Sequence, residues 1–459
     1  MDKVSKEFLE KHSDVINIKF SKYLRSFFYL FLIISYSIFA FYSLGFNKLT
    51  DQFKPDFAAK LIQDSYSYKD HINTKWSDTS DVTISYEGGA FTKYDPKDFP
   101  EWFLSDTEKQ SVIFNNQGII DIFKDKIEMK GFGNEEEKNL LLTFKLLNGK
   151  PTVEGYTFDD PKLPKWIRVT ENKVEVRPSL FERLQVYSEK IEIHRFQFGW
   201  KYFFFDFASP FNKYSSSELF SLFFSSNRLN PEISNARFMF NEFLSNEQWF
   251  HGLVFSSLRD TIFMAVIGTL FATIFGLLLA FLAAINITPF NFVRFFIRRF
   301  FDSLRGIDFL IWSLIFLRAF GPGLYTGILA IAFTDTGTLG KIMSEAIENI
   351  EKNQNEGVES TGATRNQQHR FGIIPQILPV FVSQSLYYFE SNTRSAVILG
   401  AMGAGGIGLL FLDSIMTGAN FENVAYMSIL ILIVVFLMDT FSQWLRRKLI
   451  GNVFVAIVK

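Results

Sequence analysis

Long apolar runs alternate with polar stretches along this 459-residue chain, and the first run, "FFYLFLIISYSIFAFYSLGF", covers Phe27–Phe46. About 20 apolar residues are enough for a helix to cross a bilayer. Lys19, Lys22 and Arg25 precede the run. It is longer than the apolar part of a signal peptide and lacks an A-x-A-like exit. We therefore predict an uncleaved transmembrane anchor at 27–46, preceded by a cytoplasmic segment, residues 1–26.

Residues 47–196 follow a different pattern, in which short alternating runs are separated by turn residues. Segments such as "DVTISYEGG", "QSVIFNNQGIIDIF" and "WIRVTENKVEVRP" are typical of strands. Asn148-Gly149, within "LLNGKPTV", predicts a tight hairpin turn. Because the anchor is predicted to cross outward, we expect a largely β extracytoplasmic insert here. It has too many residues of the buried type for a disordered spacer.

The remaining chain returns to apolar runs. Residues 197–258, with Trp200 and Trp249 among other aromatics, predict interfacial or extracytoplasmic helices. Residues 259–447 predict a five-helix transmembrane core, and 448–459 a cytoplasmic tail. The predicted core spans are Thr261–Ile285, Phe300–Phe320, Leu324–Met343, Pro379–Met402 and Val424–Trp444. The predicted fold class is a mainly α membrane protein with about six transmembrane helices and a largely β insert.

Lysine and arginine are distributed unevenly between the connections. The connections rich in these residues contain Arg294, Arg298, Arg299, Lys352, Arg365, Arg370, Arg446, Arg447 and Lys448. Residues 321–323 and 403–423 contain neither residue type. By the positive-inside rule, we expect a multi-pass protein of the cell membrane with both termini in the cytoplasm. The polar stretch 344–378 is then also cytoplasmic.

Composition excludes several classes of function. The net charge of −1 gives no reason to expect a nucleic-acid partner. The absence of cysteine excludes disulfides, thiolate metal sites and cysteine nucleophiles. The chain contains no G-x-x-x-x-G-K-[ST] motif for ATP, and its five histidines lack ligand spacing. We therefore predict no catalytic residue, no metal site and no cofactor bound by this chain.

The cytoplasmic stretch 344–378 includes "EGVESTGATRNQQHRFGIIPQILP". It is acidic and permissive for helix up to Gly362, where glycine allows a sharp turn. Ala363–Phe371 predicts a second short helix, which we expect Pro375 to end, because proline also fits the first turn of the next span. The prediction is a bent, rigid elbow, centred on Gly362, that docks into a groove on another protein.

This elbow resembles the "EAA" loop of ATP-binding-cassette (ABC) importer permeases, through Glu356-Gly357-Val358, Gly362 and Pro375. The resemblance continues in order over about residues 225–450, through "RGIDFLIWSLIFLRAFGPG" and "YYFESNTRSAVILGAMGAGGIG", and is closest to the phosphonate type. Gly357 stands where the family usually has alanine. The insert at 47–196 is not part of the usual short permease, and the resemblance implies no role for it.

The resemblance implies a transport subunit of an ABC importer rather than an enzyme. ABC ATPase subunits, which bind ATP and Mg, would dock on a coupling loop containing Glu356, Gly357, Val358, Gly362, Ala363, Thr364 and Pro375. An extracytoplasmic solute-binding protein would deliver phosphonate or a related phosphorylated or organic solute. A homodimer of permeases would form the pathway through the lipid bilayer.

Two features are candidates for the pathway or its gate. Glu390 and Arg394 stand four residues apart, on one face of a predicted span. Ionisable residues within a membrane suggest function by default, although a self-neutralised structural pair explains them equally well. The second feature matches G-x-G-x-x-G in letters but lacks the strand and βαβ unit of a dinucleotide site; it comprises Gly403, Gly405, Gly406 and Gly408. Similar glycines in the family lie beside the outer gate, and close helix packing remains an alternative.

Two other classes of function stay open at this point. One is an ion-coupled secondary carrier, for which inverted repeats and several midplane charges would be expected. The other is a membrane-anchored surface receptor that uses the outer insert. The sequence also leaves open the solute, the role of the insert and the choice between a homodimer and a heterodimer.

Overall fold

The computed structural model describes residues 20–48, 55–86, 92–114, 118–133, 137–156, 160, 162–417 and 421–458. The chain divides into two compact units, Met1–Ile62 and Gln63–Lys459. The first unit contains α1, Phe20–Ser43, a 3₁₀ turn at Phe46–Lys48 and most of α2, Pro55–Asp64. At 24 residues, α1 is about 36 Å long and can cross a bilayer. The predicted anchor is helical, with an earlier start at Phe20; residues 1–19 of the predicted cytoplasmic segment lie outside the described residues.

The second unit begins at Gln63, within the predicted insert 47–196, and the β character of the insert is confirmed. Its strands are β1 Ser67–Lys75, β2 Asp78–Tyr86, β3 Phe103–Ser105, β4 Gln110–Ile113, β5 Ile119–Ile122, β6 Ile127–Lys130, β7 Leu142–Leu147, β8 Lys150–Val153, β9 Ile167–Val169, β10 Lys173–Val176, β11 Glu182–Tyr187 and β12 Lys190–Phe198. Asn148 and Gly149 form the β7–β8 hairpin turn with φ angles of 53° and 76°. The dipeptide allows the left-handed conformation that this turn requires.

Within the described residues these strands form two six-stranded sheets. One has the order β2-β1-β12-β11-β10-β9, and the other runs β3 to β8 in sequence order. All paired strands are antiparallel. Alternate side chains from both sheets, such as Ile72 and Ile193 from the first and Ile120 and Phe144 from the second, share one hydrophobic core. The insert is therefore a folded domain with its own core.

Two short helices follow the insert, α3 at Ser216–Phe224 and α4 at Asn235–Leu244, with a 3₁₀ turn at Pro210–Lys213. Ser215 and Glu218 form a capping box at the start of α3, which explains why this helix begins there. The helices predicted within 197–258 are thus present, and their position at the membrane interface remains a prediction.

Residues 251–458 form the helical bundle. Its helices are α5 His251–Ala283, α6 Asn291–Gly306, α7 Phe309–Phe320, α8 Leu324–Glu348, α9 Lys352–Ser360, α10 Arg365–Gln368, α11 Ile374–Leu399, α12 Ile407–Thr417 and α13 Phe421–Val458. Glycines allow α5 and α8 to pack closely. A β-carbon on Gly268 would lie 2.9 Å from Ile331, and one on Gly276 would lie 3.2 Å from the backbone of Gly340.

The predicted continuous span Phe300–Phe320 is wrong. Helix α6 ends at Gly306, and the side chain of Asp308 caps α7 by accepting a hydrogen bond from the Leu310 N–H at 2.9 Å. Aspartate at this position favours a new helix start over continuation. The 12 residues of α7 extend about 18 Å, less than the bilayer thickness.

Two further boundaries also differ. The connection predicted at 403–423 contains α12, and the predicted tail 448–459 continues α13 as far as Val458. Among the described residues, three helices are long and apolar enough to cross a membrane: Tyr23–Ser43, His251–Ala283 and Phe421–Ile450. The bent pair formed by α11 and α12 is a candidate fourth span. The helix containing predicted span Leu324–Met343 is long enough, at 25 residues, but is rich in polar residues.

The insert and the predicted elbow lie at opposite ends of the bundle. At one end, His251 of α5 contacts the Tyr426 hydroxyl of α13 at 2.6 Å through Nδ1 and the Phe203 carbonyl at 2.6 Å through Nε2. At the other end, the side chain of Asn286 donates to the carbonyl of Ile347, at the end of α8. Helix α5 thus connects the two ends.

Candidate functional site

The elbow joins α8 to α11 and has its sharpest turn at Gly362. Its φ of +80° lies in the left-handed region that glycine tolerates, and a β-carbon there would have no neighbour within 4 Å. The turn separates α9 from α10. Thr364 starts α10 through a capping box with Gln367. The predicted bend at Gly362 is therefore present.

The predicted helix end at Pro375 is wrong. From α10 the backbone passes through a π-helical turn, His369–Ile373, directly into α11. Pro375 lies in the first turn of α11 and Pro379 lies inside that helix. The π-helical turn carries the helix past Pro375, because the Ile374 N–H donates to the His369 carbonyl, five residues earlier in the chain.

The base of the elbow is fixed, whereas its tip is exposed. Ile347, Ile373 and Ile377 belong to one buried apolar cluster. The backbone N–H of Glu351 donates to the side chain of Gln376 at 2.9 Å. Glu356, Gly357, Gly362, and Thr364 are exposed, and Val358, Ala363 and Pro375 are intermediate. A firmly held base with a solvent-exposed tip is a suitable shape for docking to another protein.

Glu390 and Arg394 form the ion pair predicted on α11, with an N–O distance of 3.5 Å. The structure adds a third member, Asp439 of α13, whose carboxylate lies 3.3 Å from the same guanidinium. The Arg394 side chain is 48% exposed. Sequence reasoning missed Asp439, although a lone aspartate inside the predicted last span was the available signal.

The four glycines form a sharp turn between α11 and α12. Gly403, Gly405 and Gly406 have φ angles of +105°, +83° and +73°. The two helices are bent by 61° at this break. The backbone N–H of Ile407 donates to the Thr261 hydroxyl on α5 at 2.9 Å, which anchors the turn. The element that leads directly into the turn is the helix α11 and not a strand, so the structural context of a dinucleotide site is missing.

Gly408 has a packing role. A β-carbon there would collide with the backbone carbonyl of Val397 in α11. Ile407 next to it packs with Trp249 and Tyr426 in a buried cluster at the insert end of the bundle. The glycine turn is therefore at the end opposite the elbow.

A buried polar cluster in the bundle was also missed. The side-chain amide of Asn392 donates to Asp335 Oδ2 at 2.5 Å and to Thr269 Oγ1 at 2.9 Å. These residues come from α11, α8 and α5. The flanking sequence "TDT" at 334–336, polar residues within an otherwise apolar run, was the available signal.

Comparison with known proteins identifies the family. Residues 272–451 match the model of the binding-protein-dependent transport system inner membrane component. The phosphite transport system permease protein PtxC of Stutzerimonas stutzeri is 34% identical over 206 residues, which is 45% of this chain and 73% of that protein. The chain belongs to this family of ABC importer permeases.

Other similar proteins have related descriptions. The phosphate-import permease protein PhnE of Mycolicibacterium smegmatis is 34% identical to this permease, over 42% of this chain and 36% of that protein. A solved structure of the methionine ABC transporter MetNI has 20% identity and a TM-score of 0.39, covering 43% of this chain and 95% of that chain. The family match begins at residue 272 and therefore leaves out the insert.

Membership confirms the predicted class of function. This permease is a membrane protein of the phosphonate-type ABC importers, and works with an ATPase and a solute-binding protein. It is not an enzyme, because the ATPase is a separate subunit. The alternatives of a secondary carrier and a surface receptor are not supported.

Proposed function

We propose that two copies of this permease form the membrane pathway for phosphonate or a related phosphorus oxyanion, and that Arg394 contacts this solute. The observation that carries the proposal is the position of Arg394, a half-exposed cation between Glu390 and Asp439. The names of the relatives support this solute class, since they include a phosphite permease and a phosphate-import permease.

The exposure of Arg394 argues for a water-filled pathway or a second copy beside it. A charged group in contact with lipid tails costs several kcal/mol, so such groups face water or protein. An arginine fork suits the oxygens of a phosphonate or phosphate. The solute would replace one of the two carboxylates beside Arg394. This gives the acids a function, because they keep the cation neutralised when no solute is bound.

We also propose that the elbow transmits the movement of the ATPase subunits. These subunits would bind ATP and Mg, and each would hold the exposed tip that contains Glu356, Gly357, Val358, Gly362, Ala363 and Thr364. Their closure would move the two elbows together and switch the pathway between inward-open and outward-open states. The glycine turn, at the far end, is proposed as part of the outer gate.

The proposed orientation has both termini in the cytoplasm of the cell membrane and six crossings. These crossings are α1, α5, the α6–α7 pair, α8, α11 and α13. It places the insert outside and the elbow inside. The opposite positions of these two features on the bundle support this orientation.

Because the chain has no cysteine, the orientation can be tested with single introduced cysteines. Ser105→Cys lies on an exposed position of β3, and Ser360→Cys on an exposed position of the elbow. In intact cells a membrane-impermeant maleimide is expected to label the first variant only. Labelling of both after permeabilisation provides the control. Labelling of Ser360→Cys in intact cells would contradict the orientation.

The solute class is tested with permease, ATPase and solute-binding protein reconstituted in vesicles. ATP-driven uptake of phosphite, methylphosphonate or phosphate is expected, with sulfate as the control oxyanion. Uptake of none of the three phosphorus compounds would contradict the proposal. Cross-linking of the elbow in cells should also recover the ATPase.

A further inference from the structure

Thr269, Asp335 and Asn392 form a buried polar layer across three helices of the bundle. Their exposed fractions are 4%, 7% and 6%. The amide of Asn392 bridges the other two side chains, at 2.5 Å from Asp335 and 2.9 Å from Thr269. A polar group buried in apolar surroundings is costly unless it is hydrogen-bonded, so these contacts constrain one another.

The layer separates two apolar clusters of the same bundle. The first contains Met264 and Ala265 of α5, Ile331 of α8, and Ala396 and Leu399 of α11. It lies beside the glycine turn, because Ala404 belongs to it.

The second cluster lies on the elbow side of the layer. It contains Ala272 of α5, Leu339 and Ile347 of α8, and Ile377, near the start of α11. Each of the three helices therefore contributes one polar residue of the layer between its two sets of apolar residues.

The packing of α11 against α5 and α8 depends on this layer more strongly than the packing of α5 against α8 does. Helices α5 and α8 are held in register by close approach at Gly268 and Gly276. Apolar packing is non-directional, whereas a buried hydrogen bond requires one alignment of its partners. A single buried polar residue is a known means of fixing helix register. Asn392 thus sets the position of α11 along and around its axis.

Two functional elements share these helices. Helices α8 and α11 are the ones that enter and leave the elbow. Arg394 follows Asn392 by two residues and lies on the half-exposed side of α11, facing Asp439. A displacement of α11 relative to α8 would therefore move Arg394 away from its position and would absorb motion applied at the elbow.

We infer that Asp335, Asn392 and Thr269 are positioning residues that hold α11 to α5 and α8, so that motion of the elbow reaches Arg394. This inference rests on the proposed function. The polar layer makes the two helices that flank the elbow move as one body, and its loss uncouples ATP hydrolysis from solute movement without releasing the ATPase.

The test compares variants in reconstituted vesicles, with three readouts: ATPase co-purification, ATP hydrolysis and solute imported per ATP. Asn392→Asp places a second carboxylate against Asp335, and we expect at least a fivefold lower import per ATP. Adding Asp335→Asn restores an amide–carboxylate pair, and the double exchange should recover more than half of the ratio. Thr393→Val is the matched control, because this residue is 1% exposed and its hydroxyl donates within α11, to Phe389 at 3.1 Å.

Two results would overturn the inference. One is an unchanged ratio in Asn392→Asp, and the other is a double exchange as impaired as the single one. If Asn392→Asp does not assemble, Thr269→Val removes one acceptor with little change in shape, and an unchanged ratio in that variant counts against the inference. Failure of the ATPase to co-purify with the unmodified permease would instead contradict the proposed docking at the elbow.

Discussion

The guanidinium of Arg394 on α11 lies 3.3 Å from the carboxylate of Asp439 on α13. This contact joins two helices that are separated in the chain by α12. Glu390 approaches the same guanidinium from within α11. Arg394 is therefore held between two acids, and its orientation is set by a neighbouring helix as well as by its own.

Replacement of this cation should affect transport more than assembly. We expect Arg394→Gln to abolish ATP-driven uptake in vesicles, because it removes the positive contact for the solute and leaves Glu390 and Asp439 without their shared partner. The amount of permease that co-purifies with the ATPase should remain within about twofold of the unmodified protein, since a half-exposed ion pair contributes only about 1 kcal/mol.

The matched control is Arg259→Gln. Arg259 is also an exposed arginine with an acidic partner, Asp260 at 3.0 Å, but it lies near the start of α5. This variant should transport normally. Normal uptake kinetics in Arg394→Gln would remove Arg394 from the pathway.

Replacing either of two glycines of the elbow with alanine should have opposite effects on the local stability of the elbow. Gly362→Ala puts a β-carbon on a residue with φ of +80° and should destabilise the turn by about 1–2 kcal/mol. Gly357 lies inside α9 with free space around it, so Gly357→Ala should stabilise this helix by about 1 kcal/mol. Retention of the ATPase during washing at increasing salt should fall in the first variant and stay equal or rise in the second. Equal behaviour would argue against a role of the bend in docking.

Alanine substitutions in the glycine turn should lower the thermal stability of the protein to different extents. Gly408→Ala would bring a β-carbon into the backbone carbonyl of Val397, and such overpacking costs about 1–3 kcal/mol or more. Gly405→Ala meets only Leu324, at 3.5 Å, so its cost is the left-handed φ, about 1–2 kcal/mol. We expect a lower thermal midpoint for Gly408→Ala than for Gly405→Ala in detergent. The reverse order would contradict the packing at this turn.

The insert should become less stable in mild acid. His71 and His194 are cross-strand partners on β1 and β12, with ring centroids 4.3 Å apart. Burial lowers the pKa of His71 to about 3 and that of His194 to about 2. In the unfolded chain both titrate near 6.5. The unfolded chain therefore binds more protons below that pH, and stability is lost as the pH falls from about 6.5 towards the folded values.

The expected loss is about 1.4 kcal/mol per pH unit for each histidine. Urea unfolding of the full chain in detergent, followed by tryptophan emission, to which Trp76, Trp102 and Trp166 of the insert core contribute, measures it at pH 7 and 5.5. His71→Gln with His194→Gln should reduce the difference between the two pH values. Burial raises the pKa of Asp70 and of Glu182. These two shifts favour the folded state as the pH falls, and they do so equally in the unmodified protein and in the double variant. Equal pH dependence in the two would contradict the assignment.

The sequence predicts the insert well because strand signals are local. Alternation in β2, β7 and β10, together with the Asn148-Gly149 turn, needs no knowledge of distant residues. The elbow is predicted for the same reason, since Gly362 marks its own bend. The sequence does not predict the boundary between α6 and α7, because both helices are rich in apolar residues and the cap at Asp308 is a single residue in a continuous run.

Contacts between helices are the part that the sequence leaves undetermined. Along the chain, Asp335 lies 57 positions and Thr269 lies 123 positions before Asn392. Nothing in the local pattern of α11 shows which neighbours its amide meets. The contact of Asp439 is not predictable for the same reason, because its partner Arg394 lies on a helix that is adjacent only after folding.

The pairing of β1 with β12 runs from Ser67 opposite Phe198 to Lys75 opposite Lys190. The chain thus leaves the path of the permease and returns to it at points only about 5 Å apart, as in any antiparallel pair. A domain attached through such neighbouring ends can be gained, exchanged or lost in evolution, because a short loop can join the same two points when the domain is absent. The sheet β3–β8 is itself interposed in the chain between β2 and β9, which form the two opposite edges of the first sheet, so this second insertion spans the width of the first sheet and shares its hydrophobic core.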